Sequence, residues 1–491
     1  MKLNLLLKGI GACTVKGDRY TEIGSISYNS KQIKNQGMFF AIKGISQNGC
    51  DFIDEAIERG AVCVVAEADF ITYKNIVKII VGDIRKACAA IAANFYQHPS
   101  DRMNVIGITG TNGKTTILYM VSAILEHAGM KCGMIGTVNY RIGPRLIPAT
   151  NTTPSSIMLQ MFLSDMEASG INNCVMEVSS HALHQNRVDA ISFNRAIFTN
   201  LTSEHLDYHK NMDQYFEAKR KLFSALKEDG TGIVNIDDPY GRIIVDEHKG
   251  KILTYGIKNP ADITAYEIVK SAHCTSFKIN AGGNSFHIDS PLIGEYNIYN
   301  MLAAIAWAIS IDLPSAVIKN AMKGFQPAPG RMERIDSAQS GILVFVDYAH
   351  TDDALLNVLE AIGEVKQKRI ITVFGCGGDR DKKKRPRMGK VAASLSDYVV
   401  ITSDNPRNEK PEDIICDIKK GLPEGFNDFK IITDRRKAIE YSLNTAQRGD
   451  IVLIAGKGHE SYQILKDTTV AFDDRKIAYE TLQNIRAMEK V

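Results

Sequence analysis

The stretch "GITGTNGKTT", residues 107–116, constrains the fold more than any other part of the sequence. The apolar run "MNVIGITG" leads into it, and apolar residues spaced for one face of a helix follow it. Glycines at 110 and 113 allow backbone N–H groups to turn inward around an anion, close to the N-terminus of that helix. The stretch therefore predicts a strand, a phosphate-binding loop and a helix in succession.

The residues of this loop indicate nucleotide binding. The pattern G-x-x-x-x-G-K-[ST] is missed at one position, because Ile108 stands where the first glycine is expected. Lys114 is placed to contact the β- and γ-phosphates, and the Thr115 hydroxyl is placed to hold Mg²⁺. Since the chain has no N-K-x-D guanine signature, we expect ATP rather than GTP.

Length and the pattern of apolar runs predict three α/β domains. A chain of 491 residues is too long for one core. We place the domains at residues 1–98, 99–326 and 327–491, with the polar "QHPSDR" and the Pro/Gly-rich "KGFQPAPGR" at the boundaries. In the third domain five apolar runs alternate with helix-like segments, which predicts a mainly parallel, doubly wound sheet. Ligands of such sheets bind at the carboxyl ends of the strands.

The composition is that of an ordinary globular protein, with 44% apolar and 23% charged residues. The net charge is +3, and charges of both signs are mixed along the chain. No array of aromatic residues accompanies a basic stripe, so the composition gives no reason to expect nucleic acid. No apolar run is long enough for a membrane span, and the first residues lack the apolar core of a secretory signal. Nine scattered cysteines without a C-x-x-C pattern favour reduced thiols and a cytoplasmic location.

Three polar residues outside the loop are candidates for phosphoryl transfer. Glu177 ends an apolar run in "CVMEVSSHAL" and could hold Mg²⁺ directly or through water. His205 follows another such run, but histidine is an unusual ligand for a hard ion. Lys219, in "YFEAKRKLF", reads by default as a solvated lysine on a helix. The chemistry of these residues alone leaves all three roles open.

The stretch "SDNPRNEK", residues 403–410, follows an apolar run and contains a sound turn signal. A turn has no need of Arg407, whose planar guanidinium suits carboxylates. Two interpretations follow from the residues alone: a solvated surface charge, or a carboxylate site at the end of a strand.

Ten motifs, in order along the chain, resemble the Mur ligases of bacterial peptidoglycan synthesis. They are "GTNGKTT", "NTTP", "EVSSHAL", "NLTSEHLDYH…YFEAK", "GEYNIYNMLAA", "PGRMERID", "DYAHTDDAL", "GCGGDRDKKKRPRMG", "DNPR" and "AGKGHE". The resemblance spans essentially the whole chain and is weakest in the first domain. It implies an N-terminal domain that binds a UDP-linked substrate, a central P-loop ATPase-type domain with a parallel sheet, and a C-terminal Rossmann-like domain that binds an amino acid.

The resemblance implies ATP-dependent amide formation. In the family, the D-glutamyl carboxylate of UDP-MurNAc-L-Ala-D-Glu attacks the γ-phosphate of ATP, and the amine of a diamino acid then displaces phosphate from the acyl phosphate. Because several negative groups must meet, cations and backbone donors should dominate the site. From the resemblance we expect ATP, two Mg²⁺ ions, no nucleic acid and a monomer.

The resemblance also assigns residues to the two nucleotide substrates. Residues implied for ATP are Gly110, Thr111, Asn112, Gly113, Lys114, Thr115, Thr116, Asn297, Asn300, Arg331 and Asp347. Residues implied for the UDP-sugar-peptide are Ser30, Thr152, Thr153, Ser179, Gln185 and Arg187. Since Arg331 and Asp347 belong to the third domain, we expect that domain to close over the second.

The implied catalytic and metal-binding residues overlap. The catalytic set is Lys114, Glu177, His205 and Lys219, and the metal set is Thr115, Glu177, His205 and Lys219. Lys219 matches the carbamylated lysine (N6-carboxylysine) of the family. A carbamate, derived from CO₂, would turn a cation that repels Mg²⁺ into an anion that can hold it.

Contacts to the amino acid are implied for the third domain. They are Arg380, Asp404, Asn405, Pro406, Arg407, Gly456 and Glu460. The DNPR stretch resembles the signature of members that add meso-diaminopimelate, which carries one more carboxylate than L-lysine. Lysine would leave Arg407 unpaired, and this should discriminate between the two. The alternatives are a lysine-adding or folylpolyglutamate ligase, a P-loop ATPase or kinase without amide formation, and a nucleotide-gated binding protein.

Overall fold

The phosphate-loop stretch lies in the middle of the largest of three main β-sheets. The computed structural model describes residues 1–44, 47–335 and 341–489. The three sheets fall within residues 1–98, 99–326 and 327–491, while the domain boundaries themselves stay predictions. This mostly parallel α/β architecture confirms the expected fold class.

The first unit is a five-stranded sheet of order β1-β5-β4-β3-β2, parallel except for β1. Its strands are β1 (Cys13–Lys16), β2 (Ser25–Ser27), β3 (Gly37–Phe40), β4 (Ala61–Ala66) and β5 (Val77–Val81), and its helices are α1 (Leu3–Leu6), α2 (Ile53–Glu58) and α3 (Ile84–Phe95). Helix α3 begins after Asp83, whose carboxylate accepts the first free N–H groups of the helix. Its apolar stripe, including Ile91, packs on the sheet.

The central unit contains an eleven-stranded sheet. Its strands are β6 (Asn104–Thr109), β7 (Cys132–Ile135), β8 (Asn139–Ile142), β9 (Arg145–Pro148), β10 (Asn173–Glu177), β11 (Phe193–Phe198), β12 (Leu226–Asn235), β13 (Lys251–Gly256), β14 (Ile263–Lys270), β15 (Thr275–Ala281) and β16 (Asn284–Ser290). Its helices are α4 (Lys114–His127), α5 (Ser156–Ala168), α6 (Ser180–His184), α7 (Leu206–His209), α8 (Met212–Ser224), α9 (Pro239–Glu247), α10 (Glu295–Ile309) and α11 (Ser315–Lys323).

The strand order of this sheet is β16-β15-β14-β13-β12-β11-β6-β10-β7-β8-β9. The strands from β14 to β7 run parallel, as predicted, but both edges carry antiparallel strands that the sequence did not predict. These edge hairpins are only partly buried, so they lack the continuous apolar runs of the inner strands.

Strand β6 is buried between β10 and β11, and this fixes the position of the loop that follows it. Helix α4 covers one face of the sheet with residues such as Ile117 and Val121. On the other face, Gly107 allows close packing, because a Cβ there would lie 2.8 Å from the Phe193 ring. The phosphate loop thus starts from a rigid base.

The third unit is a six-stranded sheet with a separate hairpin. Its strands are β17 (Glu333–Ile335), β18 (Leu343–Asp347), β19 (Ile370–Phe374), β20 (Tyr398–Ile401), β21 (Phe429–Ile431), β22 (Ile451–Ala455), β23 (Tyr462–Ile464) and β24 (Thr469–Ala471), and its helices are α12 (Asp352–Gly363), α13 (Lys384–Leu395), α14 (Pro411–Lys419), α15 (Arg435–Thr445) and α16 (Asp474–Glu489).

The five apolar runs predicted as strands in this unit are all strands, and all five are parallel. The order is β17-β18-β22-β19-β20-β21, so β22 is inserted between β18 and β19. The loops that follow β18, β22, β19 and β20 therefore meet at one edge of the sheet, where ligands of such folds bind.

The nine cysteines all lie within the described residues and form no disulfide, as their scatter predicts. No helix in the described part of the chain has both the length and the apolar character needed to cross a membrane.

Candidate active site

The phosphate loop joins β6 to α4, and its two glycines are structurally required. Gly110 and Gly113 have φ values of 147° and 87°, in the region that favours glycine. A Cβ on Gly110 would collide with the Thr199 hydroxyl, and one on Gly113 would collide with the Asn300 side chain. The local sequence therefore adopts the predicted strand, loop and helix.

Lys114 begins α4 and folds back over its own loop. Its Nζ donates to the carbonyl oxygens of Gly110, at 2.9 Å, and Thr111, at 2.7 Å. Burial lowers the pKa of Lys114, although Glu204 and Glu177 oppose this. The ammonium thus lies against the backbone of its own loop, and its contact with the phosphates stays a prediction.

The loop is held from the side by the segment after β11. The N–H of Asn112 donates to Oδ1 of Asn200 at 2.9 Å, and the N–H of Thr202 donates to Oγ1 of Thr111 at 3.0 Å. These contacts hold the backbone of the loop in place.

Glu177 and Thr115 are in direct contact. Oγ1 of Thr115 donates to Oε1 of Glu177 at 3.0 Å, and the N–H of Thr137 donates to the same oxygen at 2.8 Å. Nη2 of Arg331, from beyond the predicted boundary at 326/327, donates to Oγ1 of Thr115 at 3.2 Å. A buried carboxylate is therefore fixed beside the hydroxyl predicted to hold Mg²⁺, and the third unit reaches the loop as expected.

Lys219 projects from α8 and is 1% exposed, so its default interpretation as a solvated lysine is wrong. Its Nζ donates to the Gly110 carbonyl at 2.7 Å and lies 4.6 Å from the centre of the Tyr215 ring. Burial, reinforced by Lys114, places the pKa of Lys219 well below its usual range. Among the described residues, no carboxylate lies within ion-pair distance of this ammonium.

His205 lies at the start of α7 with a φ of 57°, and its ring faces Glu204, with 3.7 Å between Nε2 and Oε2. Across the boundary with the third unit, Nε2 of His350 lies 3.8 Å from Oε1 of the same carboxylate. Burial alone would raise the pKa of Glu204, but four basic groups hold that pKa below its ordinary value. These groups are His205, His350, Lys114 and Lys219.

Sequence reasoning missed both Glu204 and His350. Glu204 directly precedes His205, and His350 belongs to the quoted "DYAHTDDAL", so a signal was present in each case. What was absent from the sequence is their convergence, because they are far apart in the chain and approach each other only through the packing of two units.

The predicted metal ligands are only partly brought together. Thr115 and Glu177 are in contact, whereas His205 faces Glu204 and Lys219 bonds to a carbonyl. In residues 1–44, 47–335 and 341–489, no three His, Cys, Asp or Glu side chains converge on a common point. A hydroxyl and a carboxylate are oxygen ligands that suit Mg²⁺, which in such sites also takes phosphate oxygens and water. The residues present therefore fit Mg²⁺ bound together with a nucleotide.

A cleft of about 510 Å³ adjoins the loop and lies between the central and third units. It is lined by seven of the eleven residues predicted for ATP. These are Asn112, Gly113, Thr116, Asn297, Asn300, Arg331 and Asp347. The side chains of Asn297 and Asn300 are joined by a hydrogen bond of 3.1 Å on the buried face of α10.

Arg331 and Asp347 bring the third unit to this cleft. The guanidinium of Arg331 lies 4.7 Å from the centre of the Tyr348 ring, and its Nε is buried without a hydrogen-bond partner among the described residues. The carboxylate of Asp347 accepts the N–H groups of Met332 and Ala349, each at 2.7 Å, while burial raises its pKa. A guanidinium with free donor capacity beside a phosphate loop suits an anionic ligand.

Most residues predicted for the UDP-sugar-peptide form one network at the end of β10. Oγ1 of Thr153 donates to the Glu177 carbonyl at 2.9 Å and accepts the N–H of Ser179 at 3.0 Å. Arg187 donates to the Thr153 carbonyl at 2.8 Å and to Oε1 of Gln185 at 2.7 Å. Burial lowers the pKa of Arg187.

The two remaining residues of this set differ in position. Oγ1 of Thr152 lies 3.1 Å from Oγ1 of Thr137 and so joins the network through the Glu177 carboxylate. Ser30 lies in the first unit, buried, and donates to Oε2 of Glu55 at 2.6 Å. Its hydroxyl is thus engaged within its own unit.

The residues predicted for the amino acid lie at the strand ends of the third sheet. Nδ2 of Asn405 donates to Oε2 of Glu460 at 2.8 Å. Lys457, which sequence reasoning missed, is fully buried and donates to Oδ1 of Asn405 at 3.2 Å and to Glu460 at 2.9 Å. Gly456 has a φ of 114°, and a Cβ there would lie 2.7 Å from Oδ2 of Asp404. Loops after β20 and β22 thus form one polar surface.

Arg407 is half-buried at the edge of that surface, after Pro406, with a φ of 52°. Its Nη1 donates to the Gly378 carbonyl at 2.8 Å, in the loop after β19. Within the described residues it forms no ion pair, so its charge is not balanced by a carboxylate of the chain. Arg380, in the same loop as Gly378, is exposed.

Comparison with known proteins gives matches along most of the chain. The Mur ligase family catalytic domain matches residues 22–96, the Mur ligase middle domain matches 108–308, and the Mur ligase glutamate ligase domain matches 330–458. A UDP-N-acetylmuramoyl-L-alanyl-D-glutamate–2,6-diaminopimelate ligase of Caldanaerobacter subterraneus is 43% identical over 98% of this chain and 99% of its own. The ligase of the same name from Clostridium perfringens is 43% identical over 98% and 100%.

Solved structures give the same picture. A structure of a UDP-N-acetylmuramoyl-L-alanyl-D-glutamate–2,6-diaminopimelate ligase covers 99% of both chains with a TM-score of 0.71 and 30% identity. The MurF ligase from Thermotoga maritima, in complex with ADP, covers 96% of this chain and 98% of its own with a TM-score of 0.64, and at 19% identity it shows the shared fold. With three matching domains and relatives of 43% identity over nearly its full length, the chain belongs to the Mur ligase family.

Proposed function

We propose that this chain is an ATP-dependent ligase that joins meso-2,6-diaminopimelate to the D-glutamyl carboxylate of UDP-MurNAc-L-Ala-D-Glu, in peptidoglycan precursor synthesis. The observation that carries the proposal is the contact between Arg331 and Thr115, which places a cation of the third unit on the phosphate loop of the central unit. The relatives of 43% identity bear the name of this ligase.

A carboxylate is a poor electrophile, so ATP first supplies a leaving group. The loop N–H groups, Lys114 and Arg331 hold the phosphates and balance the charge that develops during transfer of the γ-phosphoryl group. The network around Thr153 and Arg187 positions the peptide carboxylate near Glu177, at the end of the neighbouring strand. The product of this step is an acyl phosphate.

Thr115 and Glu177 would hold Mg²⁺, and His205 and a carbamylated Lys219 would support a second ion. Bound Mg²⁺ would neutralise charge on the phosphate oxygens. The enclosure of Lys219 without a carboxylate partner supports carbamylation, because its lowered pKa favours the neutral amine that reacts with CO₂, and the nearby Lys114 would stabilise the negative charge of the carbamate.

Arg407 selects the amino acid by pairing with the carboxylate that distinguishes diaminopimelate from lysine, with Arg380 as a second contact. Asn405, Gly456 and Glu460 receive its other end. The support for this assignment is that Arg407 is anchored through one nitrogen to Gly378 and has no carboxylate partner within the described chain. A lysine-adding ligase is the nearest alternative, and an ATPase without amide formation is the other.

The experiment is phosphate release from ATP in the presence of UDP-MurNAc-L-Ala-D-Glu, with meso-diaminopimelate or L-lysine as the second substrate. We expect release that depends on diaminopimelate. Equal phosphate release with lysine would show that the substrate is not specifically diaminopimelate and would favour a lysine-adding ligase. Phosphate release that does not depend on either amino acid would favour an ATPase over a ligase. We also propose a cytoplasmic monomer, which sedimentation of the pure protein and fractionation of cells would test.

A further inference from the structure

The ligase reaction proposed above requires a group that accepts a proton from the attacking amine. An amine is an ammonium ion in neutral water, and it must lose one proton to attack and another to become an amide. The residues assigned so far hold phosphates, metal and substrate carboxylates, and none of them has yet been given the role of accepting this proton. The following inference rests on the proposed function.

His350 has the chemical form that such an acceptor needs. Its Nδ1 lies 2.8 Å from the carbonyl oxygen of Tyr348. A carbonyl oxygen only accepts, so Nδ1 must carry the proton, and Nε2 of the neutral ring is left with a free lone pair. Desolvation by the surrounding protein, and then the positive charge of Lys384, lower the pKa of His350 to about 4, which keeps the ring neutral near pH 7.

His350 lies between the phosphate loop and the residues proposed to bind the amino acid. On one side Nε2 faces Glu204, in the segment that holds the phosphate loop. On the other side the Tyr348 ring lies 4.6 Å from the His350 ring and 5.1 Å from that of His459, which precedes Glu460. His350 is therefore placed to meet an amine that approaches the phosphate loop from Glu460, and 41% of its side chain is exposed.

The separation between His350 and Glu204 also suits an amine. Nε2 of His350 and Oε1 of Glu204 are 3.8 Å apart, which is too long for a direct hydrogen bond. Two acceptors at this separation can both contact one nitrogen that carries two hydrogens. A neutral amine is such a nitrogen, and its lone pair would then remain free to attack.

We propose that His350 is the proton acceptor for amide formation, with Glu204 orienting the amine beside it. The amine arrives neutral, having lost its first proton to solvent, and its lone pair forms the N–C bond to the acyl carbon. The positively charged nitrogen of the tetrahedral adduct gives a proton to Nε2 of His350. The C–O bond to phosphate then breaks, inorganic phosphate leaves with the electron pair, and His350 releases the proton to solvent.

The test compares two nucleophiles in the His350→Gln enzyme. Loss of a general base costs typically 10²–10⁴-fold in rate, so we expect amide formation with diaminopimelate to fall by about that factor. Hydroxylamine, which is largely uncharged at neutral pH and more nucleophilic, traps the acyl phosphate as a hydroxamate. We expect hydroxamate formation in the variant to stay within a few-fold of the wild-type rate, and imidazole in the buffer to restore part of the amide rate.

His459→Gln is the matched control, because this imidazole also contacts the Tyr348 ring, with 5.1 Å between the ring centres. It should leave the ratio of amide to hydroxamate unchanged. Equal losses of amide and hydroxamate in His350→Gln would overturn the proposal and place His350 with the phosphate machinery, as would full rescue by high Mg²⁺. A normal amide rate would also overturn it. A wild-type enzyme that forms hydroxamate but no amide with diaminopimelate would instead contradict the proposed substrate.

Discussion

A hydrogen bond of 2.7 Å joins Nδ2 of Asn112, in the phosphate loop, to Oδ2 of Asp353, in the first turn of α12. The same carboxylate oxygen accepts the Thr202 hydroxyl at 3.0 Å. One side chain of the third unit thus holds both the phosphate loop and the segment that supports it. Closure of the third unit and the shape of the loop are therefore physically linked.

Replacing Asp353 with alanine should weaken ATP binding. The variant loses two hydrogen bonds to a charged group, each worth roughly 1.5–3 kcal/mol, so we expect the KM for ATP to rise at least about tenfold. Asp353→Asn keeps one oxygen acceptor and should recover most of the loss. Asp352→Ala is the control, since Asp352 pairs outward with Arg387 at 3.0 Å. Steady-state kinetics measures the KM for ATP. Equal KM values for the Asp352 and Asp353 variants would contradict the proposed link between Asp353 and the phosphate loop.

Lys219→Ala should lower turnover by about 10²-fold or more, as expected for the loss of charge stabilisation at a reacting phosphate. If the side chain acts as a carbamate, a short carboxylic acid such as acetate should restore part of the activity, because it can occupy the space and supply the negative charge. Native mass spectrometry with and without bicarbonate would detect the adduct directly. Lys221→Ala, on the exposed side of the same helix, is the control. Activity that is indifferent to CO₂ would rule out the carbamate.

Arg407→Ala should change the choice of amino acid more than the overall rate. The loss of a charge pair in a polar site costs several kcal/mol, so we expect the kcat/KM for diaminopimelate to fall by about 10²–10³-fold. The kcat/KM for lysine should change little, since lysine has no carboxylate at that end. Parallel assays with both amino acids measure this difference. An equal loss of kcat/KM for both amino acids would mean that Arg407 stabilises the loop and does not bind the distinguishing carboxylate of the substrate.

The loop that carries Arg407 is fixed from behind by an ion-pair network, and this network should make the fold sensitive to acid. Arg385 is 1% exposed and pairs with Glu409 at 2.8 Å and Asp417 at 3.0 Å. The hydrogen bond from Arg385 is the main cause that lowers the pKa of Glu409 to about 2. Since this pKa is depressed in the folded state, the stabilisation is complete above the unfolded pKa of about 4.3 and is lost as the pH falls towards 2.

Glu409→Gln should therefore flatten the dependence of stability on pH in the acid range. We expect a loss of roughly 1–3 kcal/mol in the free energy of unfolding at pH 7 and a smaller loss at pH 3. Urea unfolding at the two pH values measures it, with Glu412→Gln, an exposed residue on α14, as the control. If the free energy of unfolding changes by the same amount between the two pH values in the wild type and in Glu409→Gln, the ion pair contributes nothing to stability.

The parts of the site that the sequence predicts are those in which neighbours in the chain are also neighbours in space. The phosphate loop is one example, because Gly110, Gly113 and Lys114 act through their own backbone and through the helix they begin. Four of the five predicted strands of the third sheet are another, because β18, β19, β20 and β22 are almost continuously buried runs, while β21 lies at the edge and is mostly exposed. Local physics is sufficient for both.

Other parts depend on packing that no local pattern contains. Asp353 contacts Asn112 across 241 residues, and His350 faces Glu204 only because two units meet. The burial of Lys219 is a mixed case: Tyr215, Leu222 and Phe223 share its face of the helix, so the sequence carries a signal for the buried face, whereas the contact with the Gly110 carbonyl depends on packing.

The insertion of β22 between β18 and β19 has a consequence for how the protein is made. During synthesis on the ribosome, residues 451–455 emerge after every other strand of the parallel sheet, yet they lie inside it, between β18 and β19. Until then the facing edges of β18 and β19 have no partner, and unpaired edges of this kind invite association with other chains. The nascent third unit should therefore bind chaperones until β22 has emerged, and chains that stop before residue 451 should aggregate rather than accumulate as partly active enzyme.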